Sequence, residues 1–218
     1  IDDLLADLAG EIARSLGLAV RFDSGGGVEV EQRVRDGVPA DVVVLAAPAM
    51  ARLDDEGLLV SGTLRPLFVS QVVAAVPADR TAPAFATEDD LATALASAAT
   101  VAYSTGPSGT ALLALIDRLG LTDLLADRML QAPPGVPVGS LLADGRADLG
   151  FQQHSELMDV GGITILGPLP GEAAIRSTFS GAVAAASPQA DTAAQVLDLL
   201  GSDVAARLAA TRGMTLAD

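Results

Sequence analysis

Short apolar runs, each followed directly by a helix start, constrain the fold of this chain more than any other feature. The run "DVVVLAA" at 41–47 leads into Pro48, and "TVAYS" at 100–104 leads into an apolar-striped segment that ends at Gly120. Runs rich in β-branched residues are typical of strands covered on both faces, and Pro is favoured in the first turn of a helix. The pattern predicts alternating strands and helices, with ligands bound beyond the carboxyl ends of strands.

The same alternation extends along the whole chain. Helices are predicted over 2–16, 28–36, 48 onward, 87–98, from Ser108 to Gly120 and over 138–143, and from Ser187 and Ser202. Strands are predicted over 18–22, 41–47, 69–76, 100–104, 148–152 and 163–170. Thr87 and Asp90 have the spacing of a capping box. We expect an α/β fold with mainly parallel sheets.

Two breaks in the pattern predict two lobes. A Pro- and Ala-rich stretch at 77–86 and a Pro/Gly break at 167–171 each have the composition of a connection between lobes. Lobe one is therefore predicted to comprise residues 1–76 plus 172–218, and lobe two residues 77–171. The ligand cleft is expected between them.

Composition excludes several classes of function. All 13 basic residues are Arg, and the absence of Lys excludes Schiff-base and P-loop lysine chemistry. With 28 acidic residues the net charge is −15, which repels nucleic acid and anionic lipid. The chain has one histidine, His154, and no cysteine, so we expect neither a metal site nor a Ser-His-Asp triad, and no cofactor.

Candidate ligand groups are the hydroxyls, amides and backbone N–H groups that follow strands. They are the segment Ser24 to Gly27, in which Ser24 and Gly25 are the main candidates, and Ala47, Ser104, Ser108, Gly109, Thr110, Gln152 and Gln153. Such neutral donors hold an anion without a buried ion pair, and the first turn of a helix adds its dipole. Gly and Ser are also the ordinary residues of turns and caps, so a simple capped helix after Ser104 stays the alternative. "GPSGT" lacks the second spaced glycine of a nucleophile elbow, which favours Ser108 as a donor.

Four segments together resemble one known family. They are "DGVPADVVVLAAPAMARLDDEGLL", "AYSTGPSGTALLALIDRLGL", "GRADLGFQQHSEL" and the ending "LDLLGSDVAARLAATRGM". In this order they resemble the molybdate-binding branch of type II periplasmic solute-binding proteins. The resemblance implies two α/β lobes joined by two crossings, with an oxyanion held by hydroxyls and backbone N–H groups. Because Ile1 falls within the first helix of that family, we expect the first strand and its serine loop to precede this sequence.

The resemblance also implies roles for particular residues. Ser24 would lie in the hydroxyl loop of lobe one, and Ser108 and Gly109 in the backbone-donor loop of lobe two. Val138 would lie near a further backbone donor at a helix start. Gln153 stands where molybdate binders place a tyrosine, which is a departure from the pattern of the family.

The expected function is that of an extracytoplasmic, monomeric solute-binding protein, periplasmic or at the cell surface, that works with an ABC transporter permease. The ligand is expected to be a molybdate- or tungstate-type oxyanion or a small di- or tricarboxylate, since paired amides also suit a planar carboxylate. An aconitate-isomerase-like enzyme is the alternative, with Tyr103, His154 or Glu172 as candidate base. No catalytic residue is assigned, and a sensor module is a third possibility.

Overall fold

A computed structural model describes residues 1–133 and 135–217 of the chain. The helices are α1 (Asp2–Leu16), α2 (Gly27–Arg35), α3 (Ala47–Asp55), α4 (Glu88–Ser97), α5 (Pro107–Arg118), α6 (Thr122–Leu125), α7 (Val138–Ala143), α8 (His154–Leu157), α9 (Ala190–Leu200) and α10 (Asp203–Thr211). The strands are β1 (Val42–Ala46), β2 (Arg65–Pro77), β3 (Val101–Tyr103), β4 (Met129–Gln131), β5 (Leu149–Gln153), β6 (Ile163–Pro168), β7 (Arg176–Val183) and β8 (Met214–Leu216). A 3-10 turn spans Gly171–Ala173.

The chain folds into two compact units. Unit 1 comprises Ile1–Ser70 and Ser177–Asp218, and unit 2 comprises Gln71–Arg176. Residues 71–76 and 172–176, which the sequence analysis assigns to lobe one, therefore lie in unit 2. The ligand cleft stays a prediction.

Unit 1 is held together by helices that bury one apolar face. Leu4, Leu8 and Ile12 recur at intervals of four along α1, which places them on one side of the helix. They share a buried core with Leu197 and Leu200 of α9. Strand β1 pairs antiparallel with β7, and the first part of β2 pairs antiparallel with β8.

Unit 2 is a sheet covered by helices on both faces. Alternate residues of β2 enter different cores: Val72 packs in the same core as residues of α4 and α5, whereas Val73 packs with residues of α7. The strand order is β6-β2-β5-β3-β4, in which β3 pairs parallel with β4 and β5. Strands β2, β5 and β6 form antiparallel pairs, so the sheets contain fewer parallel pairs than the sequence predicts.

Several local predictions are confirmed. Thr87 and Asp90 form the capping box of α4, in which Thr87 Oγ1 accepts from the Asp90 N–H at 3.1 Å and Asp90 Oδ2 accepts from the Thr87 N–H at 3.0 Å. Helix α7 has the predicted bounds, and Ser202 is the N-cap of α10. These signals depend on contacts within one turn, which a sequence pattern records directly.

The strand predicted at 18–22 is wrong. Leu18, Val20 and Phe22 are half-buried and alternate with exposed Ala19 and Arg21, as in a strand, but the segment joins no ladder among the described residues. A strand requires a hydrogen-bonded neighbour. Here a cavity of about 410 Å³ adjoins both this segment and β1.

Other elements were not predicted. Helices α6 and α8 and strands β4 and β8 are three or four residues long, too short to show a period. Strand β7 includes residues 179–183 of an apolar segment, 179–186, for which the sequence predicted neither helix nor strand. Within residues 1–133 and 135–217, no helix is long and apolar enough to cross a membrane.

A charge cluster connects α2 to α3 in unit 1. The carboxylate of Glu31 is buried and accepts two hydrogen bonds from Arg52, at 2.8 and 2.7 Å, and one from Arg35 at 2.6 Å. Arg35 also donates to Glu56. The hydrogen bonds from Arg52 and then Arg35 lower the pKa of Glu31 to about 2, although burial acts in the opposite direction.

The first prediction concerns the acid stability of this cluster. Since the folded-state pKa of Glu31 is lowered from 4.5 to about 2, its stabilising contribution is complete above pH 4.5 and is lost as pH falls towards 2. Glu31→Gln should therefore have a lower melting temperature than wild type at pH 7, and the difference should shrink as pH falls through this window.

Thermal unfolding followed by circular dichroism at several pH values measures the effect. Glu29→Gln, which removes an exposed carboxylate from the same helix, controls for the change in net charge. A difference between Glu31→Gln and wild type that stayed constant from pH 7 to pH 2 would contradict the assignment.

Candidate functional site

The carboxyl edge of the parallel strands in unit 2 carries most of the predicted ligand residues. Tyr103 of β3 lies opposite Gln131 of β4 on one side and Phe151 of β5 on the other. Because parallel strands end at the same edge, the residues after them come together there. Ser104 is therefore placed next to the end of β5, where Gln152 and Gln153 lie.

Two serine hydroxyls form the centre of this edge. Ser104 Oγ and Ser108 Oγ are hydrogen-bonded at 2.8 Å, and both side chains are half-buried. Helix α5 begins at Pro107 with Gly106 as its N-cap, and no side chain caps it. The Ser108 hydroxyl is thus bonded to Ser104 rather than serving as a helix cap.

Backbone donors follow in the first turn of α5. The N–H groups of Gly109 and Thr110 donate to the Gly106 carbonyl at 3.0 and 3.2 Å. The N–H of Ser108 lies one residue earlier. The first N–H groups of a helix have no carbonyl of the same helix to donate to. Thr110 is exposed, whereas Gly109 is buried.

Gly109 is required by a close approach of two backbone segments. A Cβ at this position would lie 1.9 Å from the Ser104 carbonyl oxygen and 3.1 Å from the Tyr103 ring. No side chain fits there without moving the loop. Gly109 thus fixes the distance between the end of β3 and the start of α5, and with it the serine pair.

Gln152 connects three elements of unit 2 through its amide group. The side chain is buried; its Oε1 accepts from the Val138 N–H at 2.7 Å, and its Nε2 donates to the Glu156 carboxylate. The structure therefore brings together two predicted ligand residues, Val138 and Gln152, as partners of each other. Whether either contacts a ligand stays a prediction.

Glu156 is the residue of this region to which sequence reasoning gave no role. It lies exposed on α8, a four-residue helix that starts directly after β5. A spacing of four residues predicts a side-chain contact only when both residues lie in one helix. Gln152 lies in β5 and Glu156 in α8, so the sequence pattern did not predict their contact. Neighbouring Gln153 and His154 are half-buried.

The remaining predicted residues lie elsewhere. In unit 1, Ser24 and Gly25 are exposed in the loop before α2, and Ala47 is the half-buried first residue of α3. Glu172, a candidate base, is exposed in the 3-10 turn. The structure thus brings together the predicted residues of unit 2 and gives no contact that tests those of unit 1.

Two cavities, one in each unit, lie away from the donor groups. The cavity of about 410 Å³ in unit 1 has an apolar lining with several charged side chains, and Ser24, Gly25 and Ala47 are not in it. A second cavity of about 240 Å³ in unit 2 adjoins Arg80 and Asp148, on the amino side of β5. Within residues 1–133 and 135–217, no group of three or more His, Asp or Glu side chains has the arrangement of a metal site.

The second prediction tests the close approach at Gly109. Gly109→Ala should destabilise the protein by about 1 to 3 kcal/mol or more, because the new methyl group overlaps a backbone carbonyl that must move. Urea unfolding measures the loss. Gly161→Ala is the matched control in unit 2, since a Cβ there meets nothing within 4 Å. Equal stability of the two variants would refute the assigned role of Gly109.

Comparison with known proteins adds evidence independent of this geometry. The sequence profile of a family described as "Bacterial extracellular solute-binding protein" matches residues 1–215. An aconitate isomerase from a Pseudomonas species is 32% identical over 189 residues, which cover 85% of this chain and 71% of that relative.

Solved structures share the fold. A chain described as the substrate-binding domain of a molybdenum ABC transporter from Clostridium difficile superposes with a TM-score of 0.88 at 22% identity, covering 100% of this chain and 95% of that one. The periplasmic molybdate-binding protein of Azotobacter vinelandii gives a TM-score of 0.67 at 21% identity, covering 99% and 95%. These matches confirm the type II fold class, and together with the family profile they confirm the resemblance drawn from the sequence. At such identities they concern the fold alone.

Proposed function

Because this chain belongs to the bacterial extracellular solute-binding proteins, we propose that it captures a small anion outside the cytoplasm and delivers it to an ABC transporter permease. The ligand is a molybdate- or tungstate-type oxyanion or a small di- or tricarboxylate. The single observation that carries this proposal is the serine pair, where the hydroxyls of Ser104 and Ser108 lie together beside the Ser108 N–H in the first turn of α5.

Neutral donors suit this task in a protein of such negative charge. The chain carries a net charge of −15, so an anion is repelled by the surface as a whole and needs favourable groups at short range. Ser104 and Ser108 supply hydroxyl donors, and α5, with 12 residues, directs the positive end of its dipole to the same loop. Hydrogen bonds from neutral groups avoid the desolvation of a buried cation.

An aconitate-isomerase-like enzyme is the second candidate function. The observation that favours it is the 32% identity to the Pseudomonas aconitate isomerase over most of this chain. Isomerisation requires a base that removes a proton from the substrate at hydrogen-bonding distance. Tyr103, whose ring lies against Gly109, and His154 at the start of α8 are the candidates near the donor loop.

One pair of measurements separates the two functions. A thermal-shift screen with molybdate, tungstate, sulfate, citrate and trans-aconitate identifies the ligand, because an anion at 100 times its Kd adds about 2.7 kcal/mol to stability. Incubation with cis- or trans-aconitate followed by chromatography then detects turnover. A receptor shifts the melting temperature and leaves its ligand unchanged. Conversion of aconitate would replace the transport proposal, and no shift with any anion would refute both.

The third prediction concerns Ser108. Ser108→Ala should weaken binding of the anion found in the screen by about 1.5 to 3 kcal/mol, because a hydrogen bond to a charged partner is lost. Apo stability should change little, since the half-buried Ser104 hydroxyl can turn to water. Calorimetric titration and ligand-free urea unfolding measure the two effects.

Ser97→Ala is the matched control, because Ser97 is an exposed serine on α4 of the same unit. It should leave affinity as in wild type. If Ser108→Ala kept wild-type affinity and lost apo stability instead, the serine pair would be a structural feature of the loop and the proposal would lose its main support.

A further inference from the structure

We propose that the cavity of about 410 Å³ in unit 1 holds a β-strand, and that this strand is the segment of the protein that directly precedes Ile1. The strand lies between residues 18–22 and β1, runs parallel to both and joins them into one sheet. The inference concerns unit 1, whereas the proposed function rests on the serine pair of unit 2, so each can fail without the other.

Two strand-like segments with unpaired backbone edges line this cavity. Strand β1 has one ladder, the antiparallel one to β7, and it is the last strand on that side of the sheet. Within residues 1–133 and 135–217, the backbone groups of 18–22 make no hydrogen bond and the second edge of β1 has no ladder. A row of unpaired N–H and C=O groups is a template for a further strand.

The two segments lie in the same layer of unit 1. The half-buried side chains of β1, Val42 and Val44, pack against the core that contains residues of α1 and α9. The half-buried side chains of the other segment, Leu18, Val20 and Phe22, pack against the same core. Both segments therefore present alternate residues to one face, as neighbouring strands of a sheet do.

The walls of the cavity indicate what kind of strand fits. Leu5 of α1 and Val196 of α9 line it on the face of Val44, and Val30 and Val34 of α2 line it on the opposite face of β1. A strand with apolar neighbours on both faces has a continuous apolar sequence rich in β-branched residues. We expect such a run, similar in composition to β1, in the segment before Ile1.

The course of the chain indicates the direction of the strand. Leu5 lines the cavity, so the chain enters α1 beside it. After α1, Gly17 adopts a left-handed conformation with φ of 68° and ends the helix, and the chain passes into 18–22. A strand before Ile1 is thus connected to 18–22 through a helix of 15 residues, which is the kind of connection that parallel neighbours need. Residues 18–22 are connected to β1 in the same way, through α2.

Two further observations favour this occupant over a small molecule or a second copy. Unpaired backbone groups along two facing walls match the repeat of an extended chain, which a small molecule does not have. The region matched in the aconitate isomerase relative is 71% of its length, so a protein of this kind contains additional chain. The resemblance already led us to expect a strand before Ile1, and the cavity independently gives that strand a place, a direction and a residue pattern.

The test is a disulfide scan in the natural protein, including its residues upstream of Ile1. The present sequence has no cysteine, and any cysteine upstream is first replaced by serine. Val44→Cys on β1 is combined with one cysteine at each successive upstream position. Neighbouring strands lie about 4.8 Å apart, within the Cα separation of a disulfide. Oxidation should close an intramolecular disulfide at every second position of the strand and at none of the positions between, because successive side chains point to opposite faces.

Val28→Cys is the matched control, because Val28 is 85% exposed on α2 and does not line the cavity. The same upstream cysteines should form no alternating set of disulfides with it. Disulfide-linked dimers with Val44→Cys would assign the edge of β1 to a second copy and overturn the inference. Disulfides with no alternation, or none at any position, would also overturn it.

A second measurement needs no substitution and covers variants that do not fold. In the natural protein, the N–H groups of residues 18–22 should exchange with solvent at least about 100-fold more slowly than those of residues 81–85, because a ladder protects them. Residues 81–85 are a coil of unit 2 with no backbone hydrogen bond among the described residues. Equal exchange rates in the two segments would overturn the inference, whatever the anion screen shows.

Discussion

Three parallel strands, β4, β3 and β5, run in register so that Tyr103 lies between Gln131 and Phe151. Every feature of the candidate site in unit 2 depends on this register. A shift of β3 by one residue would turn its side chains to the opposite face and move Ser104 away from the end of β5. The buried side chains that enclose the sheet on both faces oppose such a shift, so the apolar core also holds the polar edge in place.

Glycines then set how closely the polar segments approach the sheet. Gly109 lets the first turn of α5 lie against the Ser104 carbonyl, and Gly150 lets α7 lie against β5. In both places the neighbouring atoms occupy the volume that a methyl group would need. Gly109 and Gly150 are therefore needed for packing rather than for a turn. The positions of the donor groups depend on both of them.

The sequence predicted those parts of the fold that depend on short-range signals. The capping box at Thr87, the bounds of α7 and the strand before α5 all follow from neighbouring residues. The strand at 18–22 was wrong because alternation records which side chains are buried and cannot supply a partner for hydrogen bonding. The direction of neighbouring strands relative to β2 could not be predicted either, because a buried strand has the same apolar sequence whether its neighbours run parallel or antiparallel to it.

For the site, the pattern of strand ends identified the right residue types but not their hydrogen-bond partners. Gln152 and Gln153 read alike in the sequence, yet Gln152 lies in the continuously buried part of β5, whereas Gln153, the last residue of the strand, is half-buried. A buried amide in a protein core must find a donor and an acceptor, and Gln152 finds them in Val138 and Glu156. A polar residue at a strand end therefore counts as a ligand donor only after its own hydrogen bonds have been assigned.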